Sequence, residues 1–323
     1  MRVVTFGEAM LRLSPPGRLR LEQARALELW PAGSELNVAI GLARLGSDAA
    51  WVSVLPRGPL GEIALAHARS FGVDVSGVRR ADDGRMGLYF VEPAEPPLPG
   101  RALYDRSGSS FARLNPDAFD WPGLLEGASG FHVSGITPAL GEGCARATAD
   151  ALATARSAGC HTSYDLNLRT LLAPPERWRE QVESVAPSLD TLLCSLDDAA
   201  AVFGLQGALG DVAAGLRDRL GIERAVVSCR MPADDGLCRE SVAVDGAATT
   251  AASSPSFRGV EPIGAGDAFS AGFLHGLLTE GPQRGLELGG AMAAVKQAVP
   301  GDAPVVGQEE LELALEGDVR MRR

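Results

Sequence analysis

The stretch GVEPIGAGDAFSAGFLHGLL, residues 259–278, decides how this chain is read. Gly264, Ala265 and Gly266 are small enough for their backbone N–H groups to approach a ligand closely. Phe269, Phe273 and Leu277, spaced four apart, predict a buried helix just after them. The first turn of a helix has unpaired N–H donors and the positive end of the dipole, so a phosphate is stabilised there without a basic side chain. Asp267 is out of place in such a pocket unless its carboxylate takes the proton of a hydroxyl that attacks the phosphate. The alternative is that Asp267 caps the helix.

Working outward, apolar runs and helical patterns alternate. VVTF (3–6), AAWVSVLP (49–56), GFHVSG (130–135), CHTSYDLN (160–167), TLLCS (191–195), RAVVSC (224–229) and ESVAVDG (240–246) read as strands. Helices are predicted over 34–46, capped by Ser34, and over 60–73, 142–159 and the segment opened by DDAAAVFG. The expected fold class is therefore α/β, with a mainly parallel sheet covered on both faces and ligands at the carboxyl ends of its strands. Two insertions, 10–30 and 85–107, have antiparallel, hairpin-like character, the second around the Pro-rich turn at 95–100. They predict one small sheet lying over the larger one as a lid, within a single domain of 323 residues.

Composition narrows the function. With 46% apolar residues and no apolar run of about 18 residues, the chain carries no predicted spanning helix. MRVVTFGEAM enters a strand at once, without a charged-then-apolar leader, which points to the cytoplasm. Five scattered cysteines, an odd number without a C-x-x-C pair, read as small core residues in a reducing compartment. Four histidines without helical pairing argue against a zinc site, and no residue is assigned to a metal. A net charge of −11 argues against nucleic acid and anionic membrane as partners, while local arginines leave anionic substrates open.

The loops after the strands are where chemistry is expected. Arg169, in DLNLR, offers a bidentate clamp for phosphate or carboxylate, or is a surface arginine. Ser195, with Asp197 and Asp198, either acts through water on Mg²⁺ or caps the next helix. Tyr89, Tyr104 and Arg106 make a polar, cationic floor if their register points them one way, and are otherwise ordinary sheet residues. Pro300-Gly301-Asp302 reads as a turn.

With Gly7-Glu8 at the start, the G-x-x-x-N of Gly33 to Asn37, the D-x-N-x-R of Asp165 to Arg169 and above all Gly264-Ala265-Gly266-Asp267, nearly the whole chain resembles the ribokinase-type (PfkB) carbohydrate kinases. GEAMLRLSPPG, MGLYF, LYDRSGS, SGITPAL and VPGDAP resemble the 2-keto-3-deoxygluconate kinases among them more than fructokinases, ribokinases or adenosine kinases. The resemblance implies a ribokinase-like three-layer sandwich with a β lid, a homodimer paired through that lid, and ATP with Mg²⁺. It implies Asp267 as the base, with the N–H groups of 264–266 as an anion hole. Gly33, Asn37, Tyr89, Tyr104, Arg106, Arg169 and Asp302 would line a sugar-acid site, with Arg106 and Arg169 facing the acid or the phosphates. Asn167 and Ser195 would lie along the ATP. In place of the family's usual K-x-G-x-x-G turn stands CRMPADDG (229–236), with Arg230 as its candidate nucleotide contact.

Three other readings compete. One is a kinase of a neutral ketose such as fructose, disfavoured because a neutral sugar gives nothing back for desolvating a guanidinium. Another is a catalytically silent sugar or nucleotide sensor. A dinucleotide oxidoreductase would need G-x-G-x-x-G after the first strand, where only G-E-A-M stands.

Overall fold

The computed structural model describes residues 1–17, 19–92, 98–259 and 261–317. The strands are β1 (Arg2–Phe6), β2 (Met10–Ser14), β3 (Glu28–Ala32), β4 (Asp48–Pro56), β5 (Val78–Ala81), β6 (Gly87–Glu92), β7 (Arg101–Asp105), β8 (Gly130–Ser134), β9 (His161–Asp165), β10 (Thr191–Ser195), β11 (Arg224–Ala233), β12 (Gly236–Asp245) and β13 (Ala248–Ser253). Among the described residues nine of them form one sheet in the order β13-β12-β11-β10-β9-β8-β1-β4-β5. From β11 to β5 every pairing is parallel, and β12 and β13 extend the sheet antiparallel at one edge.

Alternation along the strands explains the three layers. Val3, Ala49 and Trp51 point into one core, under helices Ser34–Arg44, Ala265–Thr279 and Pro282–Lys296. Val4, Ala50 and Val52 point into the other, under Glu142–Ser157, Pro175–Val185 and Leu209–Leu220. Strands buried on both faces read as unbroken apolar runs, which is why they were visible in the sequence.

The second sheet has the order β3-β2-β6-β7. Its outer pairs are antiparallel, as the two insertions suggested, but its central seam, β2 with β6, is parallel. A parallel seam needs a long crossover, and here the first helices and strands of the large sheet supply it. The Pro-rich turn expected at 95–100 falls partly outside the described residues, at 95–97, as does MRR at 321–323. Two further expectations change. The 229–236 stretch is not a separate turn, because β11 runs on to Ala233 and pairs with β12 through to Ala233–Gly236. Cys229 and Cys238 lie half-buried on that hairpin rather than in the core, although all five cysteines are free.

Helix Ala265–Thr279 is held where it is by small residues. A β-carbon at Gly272 would fall 2.6 Å from the carbonyl oxygen of Leu288, and one at Gly276 would fall 2.7 Å from that of Arg284, so the two helices touch backbone to backbone. Replacing Gly272 with valine is expected to cost about 1–3 kcal/mol of stability through overpacking. The check is a urea titration, in which the midpoint falls while the slope is kept. An unchanged midpoint would mean that the helices do not meet there.

Candidate active site

Gly264 ends the loop that leads into helix Ala265–Thr279 with φ +81°, a left-handed conformation natural to glycine, and a β-carbon there would sit 1.9 Å from the carbonyl oxygen of Asp302. This contact sets the helix start against the 299–302 loop. Ala265 donates its N–H to Pro262 O at 3.3 Å, so the anion hole expected from 264–266 is corrected: its Ala265 donor is spent on the loop. Among the described residues nothing takes the N–H of Gly264, Gly266 or Asp267, and these are the donors left for a ligand.

Asp267 does not cap its helix. Its Oδ1 accepts from Ser34 Oγ and its Oδ2 from Asn37 Nδ2, each at 2.7 Å. Ser34 Oγ in turn accepts from Asn167 Nδ2 at 2.9 Å. Ser34, read as a cap, thus spends its hydroxyl on Asp267, and helix Ser34–Arg44 begins at Gly33 without a side-chain cap. Asn167 reaches it because the backbone there turns left-handed, φ 44°, which asparagine tolerates better than most residues. Burial raises the Asp267 carboxyl above the ordinary aspartate range, while the bonds from Asn37 and Ser34 and the charge of Arg169 oppose that shift. The carboxyl faces an open cleft of about 330 Å³.

That cleft gathers every residue expected around the sugar acid: Gly33, Asn37, Tyr89, Tyr104, Arg106, Arg169 and Asp302, with Asn167 beside them. Tyr89 and Tyr104 are register partners on β6 and β7, stacked with ring centroids 5.7 Å apart, so they do share a face. Arg106 needs correction. Its Nε and Nη2 donate to the buried carboxylate of Glu8, whose other oxygen takes the hydroxyl of Ser109, so its charge is already matched inside the protein. Arg169 is exposed and has no carboxylate partner among the described residues, its Nη1 bonding Leu168 O.

Asp302 is held by Tyr89 and by Arg12, whose Nη1 donates at 2.8 Å. Arg12 also gives Nη2 to Glu261 at 3.1 Å and Nε to Ser14. Arg12 and Glu8 were missed in the sequence. A signal existed for Arg12, an arginine inside an apolar strand, and for Glu8, quoted in a motif without a role.

On the other side of Gly266 two more clefts open. One, about 390 Å³, is lined by Ser195, Arg230, Ala265, Gly266 and Gln297. The other, about 250 Å³, is lined by Asp165, Asn167, Asp198 and Gly266. Ser195 is the cap of helix Leu196–Phe203, its Oγ accepting from the Asp198 N–H at 3.0 Å, and it lines both clefts. Arg230 is exposed at the edge of the first.

A carboxylate on one side of a helix start with unspent N–H donors and an open cleft on the other is an arrangement that phosphoryl transfer to an alcohol can use. The chain belongs to the pfkB family carbohydrate kinases, which residues 1–304 match. It is 40% identical to the 2-dehydro-3-deoxygalactonokinase of Haloferax volcanii over 98% of this chain and 96% of that one. It is 29% identical to the 2-dehydro-3-deoxygluconokinase of Thermoproteus tenax, over 93% and 89%. Among solved structures, the 2-dehydro-3-deoxygluconokinase of Thermotoga maritima superposes with a TM-score of 0.90 at 32% identity, covering 98% of each chain. The fold is ribokinase-like, and the protein is a carbohydrate kinase.

Arg12 and Asp302 are 5% and 4% exposed at their side chains, so removing the cation strands a buried carboxylate. Arg12→Met is expected to lower stability by about 3–5 kcal/mol. Urea unfolding measures it, and a loss below about 1 kcal/mol would show the pair to be as weak as a surface one.

Proposed function

We propose that the chain transfers the terminal phosphoryl group of ATP to the terminal hydroxyl of a 2-keto-3-deoxy sugar acid, 2-keto-3-deoxygluconate or its galacto epimer. The observation that carries this reading is the Asp267 carboxylate, both oxygens oriented by Ser34 and Asn37, opening on a cleft beside the free N–H groups of Gly266 and Asp267. Asp267 takes the hydroxyl proton as the oxygen forms its bond to phosphorus, and the bridging P–O bond breaks with its electron pair leaving on ADP. The raised pKa of Asp267 suits that task, because a base nearer neutrality accepts a proton more readily. The two N–H groups meet the charge on the transferring phosphoryl. The partnering of Arg106 with Glu8 leaves Arg169 to face the acid, and the two relatives named for 2-dehydro-3-deoxy acids favour that acid over a neutral ketose.

Mg²⁺, when bound with ATP, would supply neutralisation of the charge on the phosphates. Asp165 and Asp198 line the adjoining cleft, and burial raises both carboxyls, Asp165 to about 7, so both gain from a nearby cation. They would hold it through water, since among the described residues no three His, Cys, Asp or Glu side chains stand close enough to ligate a metal. The small sheet serves as the lid that keeps water from the phosphoryl group. Five unpaired cysteines fit a reducing cytoplasm. Among the described residues no helix is long and apolar enough to cross a membrane.

Asp267→Asn is expected to lower kcat about 10²- to 10⁴-fold, with KM for the sugar nearly kept. A coupled ADP assay over ketodeoxygluconate, ketodeoxygalactonate and fructose reads both claims. Near-normal turnover by the variant removes the base assignment, equal use of fructose removes the acid, and tight sugar binding without product marks a silent sensor.

Leu29, Leu13, Phe90 and Leu103 are register partners in one row across the small sheet, on the face opposite Arg12 and Tyr89, and Leu29 and Leu103 are 40% and 44% exposed. A second copy of the chain covers this row in the proposed homodimer. Leu103→Glu is expected to sediment as a monomer where the parent sediments as a dimer, and a parent that is itself monomeric would refute the pairing.

A further inference from the structure

The hairpin β11–β12 carries an arginine that the proposed reaction has not used. Arg239 lies on β12, paired in register with Arg230 on β11, so both side chains leave the same face. The two are held very differently. Arg230 is exposed, whereas the Nη1 of Arg239 donates to Ser228 Oγ at 2.8 Å and its guanidinium carbon lies 5.5 Å from the centre of the Phe269 ring, in helix Ala265–Thr279. Stacking fixes the plane of the guanidinium and Ser228 fixes its rotation.

What Arg239 lacks is a counter-charge. The buried arginines elsewhere in the chain have one: Arg12 has Asp302 and Glu261, Arg106 has Glu8, and Arg224 has Asp245. Among the described residues Arg239 makes no ion pair, its Nε is buried without a hydrogen-bond partner, and its Nη2 bonds to no protein atom. Burial and the neighbouring Arg230 hold its pKa below the ordinary arginine value, the mark of a cation surrounded by too little negative charge. A guanidinium half-withdrawn from water with its donors unspent is costly to keep unless something anionic comes to it. Arg239 lines both clefts on the far side of Gly266 from the sugar-side cleft, together with Ser195 and Ser228.

We infer that Arg239 is a phosphate clamp, its free N–H groups taking oxygens of the nucleotide's phosphates against the start of helix Ala265–Thr279. This rests on the kinase reading above and deepens it. The planar fork, already oriented, matches two phosphate oxygens at once, whereas Arg230 stands exposed at the cleft edge.

The test uses Arg239→Gln in the full chain. KM for ATP is expected to rise about 10- to 100-fold, as for loss of hydrogen bonds to a charged group, with KM for the sugar unchanged. By calorimetry the variant loses affinity for ATP and ADP and keeps its affinity for adenosine. A variant with unchanged ATP KM, or one that weakens adenosine as much as ATP, overturns the inference. So does a fall in kcat and in the urea midpoint with ATP KM kept, since Arg239 would then only support Phe269. A second measurement needs no variant: phenylglyoxal labelling of Arg239 in the parent protein, mapped by mass spectrometry, is expected to be suppressed by ATP and not by adenosine. Equal labelling in both overturns the inference. A parent chain that turned over no sugar would remove the kinase reading instead, because the binding and labelling measurements need no turnover.

Discussion

Two loops meet at a backbone contact that leaves no room for a side chain: the carbonyl of Asp302 lies where a β-carbon of Gly264 would be. The position of the helix start follows from that contact. It is secured from both sides. In the interior, Lys296 is fully buried and donates its ammonium to the carbonyls of Glu261 and Val299, one in each loop, at 3.3 and 3.2 Å. Toward the small sheet, Arg12 holds the side chains of Glu261 and Asp302. Burial lowers the Lys296 pKa, so this ammonium is kept at a cost that the two carbonyls and nearby Glu261 and Asp302 offset. A helix dipole stabilises an anion only over its first turn, so a loop that wandered by an ångström or two would spoil the site.

Charge at the site is arranged in two classes. One is internally matched: Glu8 with Arg106, and Asp302 with Arg12 and Tyr89, all buried and serving to join the small sheet to the large one. The other is left open: Asp267 in the cleft with Tyr89 and Tyr104, Arg169 between the clefts, Arg239 beyond Gly266. In a matched pair each charge is answered inside the protein, so little is left to offer a ligand. Open groups are where ligand charge is repaid. The net charge of −11 therefore does not set the potential at the site, which within a few ångströms depends on these unmatched groups.

Much of the fold was legible. Strands buried on both faces show as apolar runs, and the GAGD loop announced its helix, because both signals are local. The parallel seam between β2 and β6 was not legible, since it joins segments some 75 positions apart through a crossover that neither segment encodes alone. At the site, the expected lining residues do converge on one cleft, but their partners were hidden. Arg106 looked like a free cation until Glu8, 98 positions away, was seen to hold it. Ser34 looked like a helix cap because serine before an apolar helical run usually is one.

The order of residues alone determined the alternating α/β layers, the glycine-rich helix start and the carboxyl group within it, all set by backbone sterics and apolar periodicity over a few neighbouring positions. Only the tertiary structure decided which charges are spent and which remain open. The reason is physical: whether a buried side chain is a strut or a binding group depends on what stands within about 3 Å of its polar atoms, and those atoms come from distant parts of the chain.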